Sequence, residues 1–281
     1  MAFSTVEESE YSGEPVQLFE FRYGDDAKAV FRYTDCEDAL EVSGKHYKPI
    51  PVSRANIVSN GTFDKTTMEV RLSGQTDIGL LYKGYPPAFV VTLTIYSGHL
   101  NDMNFIVIWS GIVRGGGPAG HEIVLTCEPI SASMKRNGLR RCYQYGCPLV
   151  LYGLQCNADK DYATVDAVVA SLTAQTVTLV TGWNGAFDVS KFIAGTAEWT
   201  NDSNNLEIRT INNVLGDTLN LKGVTRGLHV GQTMQVVLGC NHQESDCMNL
   251  HKEKITGFSN IVNFGGDPWI PTDNPTGKSQ N

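Results

Sequence analysis

The sequence predicts a mainly β chain built from more than one domain, and three observations carry that prediction. Short runs of β-branched and aromatic residues recur along most of the chain, punctuated by Gly, Asn, Asp and Pro. At 281 residues the chain exceeds what one hydrophobic core usually organises, and its 41% apolar content is enough for two. The character also breaks at residues 130–160, which are basic first and then rich in Cys, Tyr and Gly.

Within residues 1–130 the strand-like runs are Gln17 to Tyr23, Ala29 to Tyr33, Thr67 to Leu72, Phe89 to Tyr96, Phe105 to Val113 and Glu122 to Cys127. Between them stand Gly24-Asp25-Asp26, Ser43-Gly44-Lys45, Ser59-Asn60-Gly61 and Gly115-Gly116-Gly117-Pro118, all with the chemistry of turns or hairpin loops. These alternations predict an antiparallel β-domain, a barrel or split barrel. One short helix is expected near Ile78 to Tyr82, before Pro86-Pro87. Residues 131–160 read as a linker carrying a first pair of cysteines. Residues 161–238 read as a second, small β-domain with strands at Val177 to Val180, Thr196 to Thr200, Leu206 to Thr210, Thr218 to Leu221 and Thr233 to Leu238. Residues 239–271 carry a second cysteine pair, a short helix at Met248 to Lys254 and a turn-rich stretch from Asn260 to Pro271. Residues 272–281 read as a loose tail.

The formal charge of −8, with Lys and Arg scattered except at Lys135, Arg136, Arg140 and Arg141, disfavours a duplex-binding role, so no specific nucleic-acid partner is expected. No apolar run is long enough to span a bilayer, and the acidic N-terminus lacks the apolar core of a signal peptide, so no membrane insertion or export is expected. The six histidines (His46, His99, His121, His229, His242, His251) are scattered, and no nucleophile elbow, zinc-protease helix or phosphate loop is present. No catalytic residues are expected. The acid pairs Glu7-Glu8 and Asp25-Asp26 read as solvated turn or terminal residues. Trp183 and Trp199, with Asn201, Asn204 and Asn205 nearby, leave open a carbohydrate-binding platform.

The chemistry concentrates in cysteines. Cys147 pairs with Cys156 and Cys240 with Cys247, with eight and six residues between their members, wider than the two to four usual for a zinc knuckle. Bringing Cys240 to Cys156 closes a loop of about 83 residues, at a cost on the order of 4 kcal/mol. Metal–thiolate bonds can offset that, and an intervening domain that holds its own ends together lowers it. Three guests fit on spacing alone: tetrahedral Zn, a [4Fe–4S] cluster whose ligands spread over separate irons, or two disulfides, which a reducing cytosol disfavours. Cys127, in Ile123-Val-Leu-Thr-Cys127, reads as a core thiol, and Cys36, beside acids, as unreactive. Cys142, five residues before Cys147, is a possible substitute ligand. Gly146 and Gly239 precede cysteines, where glycine either lets backbone N–H groups approach sulfur or makes an ordinary tight turn. Tyr143, Tyr145 and Tyr152 could wall off a guest, and Arg140 and Arg141 could offset its negative charge.

The stretch Cys147-Pro-Leu-Val-Leu-Tyr152-Gly153-Leu-Gln-Cys156, then Gly239-Cys240-Asn-His-Gln-Glu-Ser-Asp-Cys247, then Asn263-Phe-Gly-Gly-Asp-Pro-Trp-Ile-Pro271 resembles the tail-tip hub proteins of long-tailed phages. That group includes the phage lambda minor tail protein L and the phage BR0599-type family, also found in gene transfer agents. The likeness covers mainly residues 140–271; the N-terminal domain matches only in outline, as a hub-type β-barrel. The resemblance implies a [4Fe–4S] cluster held by Cys147, Cys156, Cys240 and Cys247, clamping the C-terminal small β-domain as an iron–sulfur module. It implies a virion protein of the tail tip or baseplate hub, present in the host cytoplasm during assembly. Partners would be two further copies of itself in a homotrimer, the distal tail protein, the central tip or receptor-binding protein and the tape measure protein. Cys142 and His242 depart from the plainest form of the pattern. The alternative is a zinc- or thiol-stabilised β-rich binding protein.

Overall fold

The computed structural model describes residues 13–24, 29–57, 67–101, 103–135, 142–202, 204–249 and 259–270. The chain divides into two compact units, Met1–Asn137 and Gly138–Asn281.

In the first unit nine strands form one sheet: β1 (Pro15–Tyr23), β2 (Val30–Thr34), β3 (Leu40–Val42), β4 (Lys45–Pro49), β5 (Val52–Arg54), β6 (Met68–Ser73), β7 (Val91–His99), β8 (Ile106–Ala119) and β9 (Glu122–Pro129). Their spatial order is β3-β4-β2-β1-β7-β8-β9-β6-β5, antiparallel throughout except where β2 meets β4. The sequence runs fall on six of these strands. The edge elements β3, β4 and β5 escape the pattern because they are three to five residues long and carry Glu41, His46, Lys48, Ser53 and Arg54. Ser43-Gly44 does turn β3 into β4, with both residues at positive φ. The turn expected at Ser59-Asn60-Gly61, and Asp25-Asp26 of the first turn, lie outside the described residues.

Two expectations are corrected here. The N-terminal barrel does not form: among the described residues the sheet runs from β3 at one edge to β5 at the other without closing. Closure requires strand tilt and stagger to agree around a whole sheet, which the local alternation of any one strand does not encode. The Gly115-Gly116-Gly117-Pro118 run is no hairpin loop but the end of β8, paired residue for residue with Thr126 to Ile123 of β9. Gly116 makes room. A Cβ on Gly116 would lie 2.6 Å from Leu125 Cδ2 and 3.1 Å from Tyr82 Cβ. Tyr82 belongs to the helix α1 (Asp77–Tyr82), at the place predicted for it. Thr76 caps that helix through its side chain to the Gly79 N–H, and Ile78, Leu81 and Tyr82 are buried.

Strand β1 is covered on both faces, and Leu18 to Phe21 are all buried. Phe19, Phe21 and Tyr23 enter the main core with Leu93, Ile95 and Leu125, while Val16 and Leu18 pack on Tyr47. Glu20 is the exception, a carboxylate 1% exposed that meets Arg22, Arg32 and Lys45 at 2.7, 3.0 and 3.0 Å. Burial alone would raise its pKa; hydrogen bonds from the three cations outweigh that and hold it at about 2, down from 4.5. The folded pKa lies below the unfolded one, so the carboxylate contributes stability above about pH 4.5 and loses it as pH falls towards about 2. Glu20→Gln is therefore expected to lower stability at neutral pH and to flatten the acid limb of a denaturation-midpoint profile. An unchanged acid limb would show that Glu20 makes no such contribution.

The second unit contains a closed barrel of β10 (Thr164–Leu172), β11 (Thr176–Leu179), β12 (Thr196–Thr200), β13 (Leu206–Leu215), β14 (Thr218–Lys222) and β15 (Thr233–Val237). The circuit β10-β11-β14-β13-β12-β15 returns to β10, so no strand is left as an edge. Inward residues alternate with outward ones, as in Val177 and Leu179 or Leu219 and Leu221, and meet Phe192, Ile211 and Met234 in one core. Within that core Trp183 tilts over Phe192 at 4.7 Å between ring centroids. Among the described residues no helix is long and apolar enough to cross a membrane.

Candidate metal centre

The barrel brings the two cysteine segments together. Its first and last strands are neighbours, with Thr164 opposite Val237 and the Leu238 N–H donating to the Ala163 carbonyl at 2.9 Å. The chain therefore enters the barrel after Cys156 and leaves it before Cys240 at one place. Gly239 is needed there because a Cβ would overlap the Ile193 carbonyl oxygen and stand 2.7 Å from the Gly195 nitrogen. Tyr152 ties the other segment down: its hydroxyl donates to the Leu238 carbonyl at 2.8 Å while its ring packs on the barrel core. Tyr152 sits at φ +57°, costly for a bulky residue, and these contacts hold it there.

Cys147, Cys156, Cys240 and Cys247 line one narrow cleft of about 10 Å³, together with Leu149, Leu151, His242 and Gln243. No disulfide joins them. Cys247 comes from helix α2 (Glu244–Asn249), whose neighbour Asp246 is buried, accepts the Asn241 N–H at 3.0 Å and meets Lys191 at 3.3 Å. The helix begins at Glu244, four residues before the Met248 expected from the sequence, where acids at Glu244 and Asp246 favour a helix start. Residues 250–254 lie outside the described residues.

Three of the four sulfurs receive an N–H group. The His242 backbone donates to Cys240 Sγ at 3.3 Å, the Gly265 backbone to Cys147 Sγ at 3.4 Å, and Asn260 Nδ2 to Cys156 Sγ at 3.8 Å. His242, at φ +60°, also joins the two pairs. Its carbonyl accepts the Cys147 N–H at 2.8 Å, and its ring Nδ1, which must carry the proton, donates to the Cys147 carbonyl at 2.9 Å. The Phe264-Gly265-Gly266 turn then lies flat on the first segment, where a Cβ on Gly266 would come within 2.6 Å of the Tyr145 carbonyl oxygen. Asp267 N–H donates to the Gln144 carbonyl at 2.8 Å.

Burial pushes the Cys247 thiol up to about 12, and the charges of Cys240, Cys147 and Cys156 push it further in the same direction. Cys240 is likewise raised, first by burial, against the favourable His242 N–H. Cys240 and Cys247 are thus favoured as neutral thiols, and a cation beside them would reverse that preference.

The structure brings together the four residues named from the sequence and leaves others out. Cys142 is exposed and does not line the cleft. Tyr143 and Tyr145 are exposed, so of the three tyrosines only Tyr152 packs inward. A Cβ on Gly146 would meet the His242 carbonyl oxygen at 3.5 Å, an ordinary contact. Arg136, Arg140 and Arg141 lie outside the described residues. Trp183 and Trp199 are 5% and 2% exposed, which removes the carbohydrate platform. Cys127 is a buried core thiol, as expected. Asn260 was not legible as a site residue; its one signal was a polar residue opening the turn-rich stretch beside Asn263, whose Nδ2 donates to Asn260 Oδ1 at 2.7 Å.

Among the described residues no group of three or more His, Cys, Asp or Glu side chains is gathered tightly enough to hold a single ion. A tetrahedral zinc needs four ligands within about 2.3 Å of one centre. A cluster asks for less convergence, since each thiolate meets a different iron. Four cysteine sulfurs around one cleft, with N–H donors aimed at three of them, are a donor set of the kind that thiolate-bound metal takes.

Fold and site together define a two-unit β protein in which a closed barrel is inserted between two cysteine pairs that share one cleft. Residues 190–274 match the family model described as phage conserved hypothetical protein BR0599. The chain is also similar to one from the solved virion of a native gene transfer agent (GTA) particle, with a TM-score of 0.73 and 17% identity over 100% of this chain and 97% of that one. At that identity the likeness shows the fold. No curated protein sequence matches the chain. Both likenesses agree with the resemblance to the phage BR0599-type family read from the sequence.

Proposed function

We propose that the protein is a structural virion component, the hub of a long-tailed phage tail tip or baseplate. It would assemble as a homotrimer and join the tail tube and distal tail protein to the central tip protein, around the path of the tape measure. In this reading Cys147, Cys156, Cys240 and Cys247 hold a [4Fe–4S] cluster, which supplies four iron–thiolate cross-links and no turnover. The role of the chain is mechanical: the barrel sets the two ligand segments side by side, and His242, Asn260 and Gly265 direct N–H groups at the sulfurs. The observation that carries the reading is the convergence of the four thiols on one cleft, in a chain whose residues 190–274 match a phage family.

Protein purified without oxygen is expected to be brown, with iron and acid-labile sulfide in equal amounts. Cys147→Ser and Cys240→Ser are each expected to abolish that content. Colourless protein with one zinc per chain would overturn the cluster, and full iron content in either variant would overturn the ligand set.

A further inference from the structure

We infer that Asn260 is a positioning residue for the thiolate centre, holding Cys156 in ligand-ready orientation through its side-chain amide. The inference rests on the cluster reading and deepens it.

Asn260 is wholly buried, in a part of the molecule with few buried side chains of any kind. A buried amide must find partners for two donors and an acceptor, and here they are specific. Its Nδ2 donates to the Cys156 carbonyl at 2.8 Å and reaches Cys156 Sγ at 3.8 Å. Its Oδ1 accepts from Asn263, which fixes the flip of the amide so that NH₂ and not oxygen faces the sulfur. Neighbouring Ser259 donates from its hydroxyl to the Cys247 carbonyl at 3.4 Å. Cys156 and Cys247 belong to different pairs, so the Ser259-Asn260 segment bonds to one cysteine of each pair.

An N–H group aimed at a ligand sulfur stabilises negative charge there. In an iron–sulfur centre that charge is greatest in the reduced form, so the donor raises the reduction potential. Asn260→Leu keeps the approximate volume and removes the donor. At a fixed poise its ratio of reduced to oxidised centre is expected to fall about tenfold, 59 mV for one electron. Asn184→Ala removes a comparable amide bond to the Phe187 carbonyl elsewhere in the second unit. It is expected to lower stability without moving the potential.

A potential in Asn260→Leu equal to that of the unaltered chain, at equal iron content, would overturn the proposal. Should Asn260→Leu take up no iron, Asn260→Asp, which keeps the shape and puts an acceptor in place of the donor, is measured in its stead. Its potential is expected to be lowered, and an unchanged potential at equal iron content would overturn the proposal. A wild-type chain that binds no iron would overturn the cluster reading itself, whereas an unchanged potential overturns only the role of Asn260.

Discussion

Replacing Glu207 with alanine is expected to cost the barrel about 3–5 kcal/mol, the usual penalty for breaking a buried ion pair by removing one partner. Glu207 and Arg209 both have side chains 0% exposed and meet at 2.7 Å. Arg226 adds a second guanidinium at 3.3 Å and Asn201 an amide at 3.2 Å, both on the other carboxylate oxygen. Arg209 also donates to the carbonyls of Val224 and Ile208 and lies 5.6 Å over the Trp199 ring. Without Glu207 the barrel would enclose an uncompensated cation, which is where the cost arises. The double change Glu207→Leu with Arg209→Met should be milder than Glu207→Ala, because it removes both charges. Amide exchange of the barrel strands in the whole chain measures each effect locally. A cost below about 1 kcal/mol for Glu207→Ala would place the pair among solvated surface bridges instead.

Stripping the proposed cluster is expected to release the cysteine-bearing segments while the barrel stays folded. Residues 142–157, 240–249 and 259–270 bury Cys156, Cys247, Asp246 and Asn260, yet expose Tyr143, Val150, Leu154, Val262 and Trp269. They have almost no apolar core, and segments of that kind depend on a metal or disulfide for order. Structural metal contributes on the order of 10 kcal/mol in such settings, so amide protection there should fall about a thousandfold or more on removal. Strands β10 to β15 should keep theirs, since their core holds without the cysteines. Equal protection of both regions with and without iron would mean that the hydrogen bonds alone hold the segments. A loss spreading into the barrel would mean that the two parts fold as one.

Much of this was legible in the amino-acid order, and the failures share a cause. Met68–Ser73 alternates buried and exposed positions as its sequence alternates, so a local pattern found it. Thr164–Leu172 was missed because Asp166, Ala167 and Ala170 dilute its strand character, although burial still alternates at Ala167 and Val169. Gly115 to Gly117 misled because glycine marks turns and close packing alike, and at Gly116 only the presence of Leu125 and Tyr82 decides which. The open sheet of the first unit and the closed barrel of the second differ in how distant strands meet, which no short window contains. The four cysteines stood out by type and spacing. The groups that direct N–H at their sulfurs are a backbone turn at His242, a glycine and an asparagine, each too common to be noticed without its neighbours.

The pairing of Thr164 with Val237 makes the 163–238 barrel a cassette. Its two ends leave the cleft side by side, so a different domain, or a short hairpin with the same spacing between its ends, could stand in its place without moving Cys156 or Cys240. Relatives of this chain would then be free to change size and surface at that one point, acquiring or losing whole domains, while the cysteines and the Asn260 turn stay as they are.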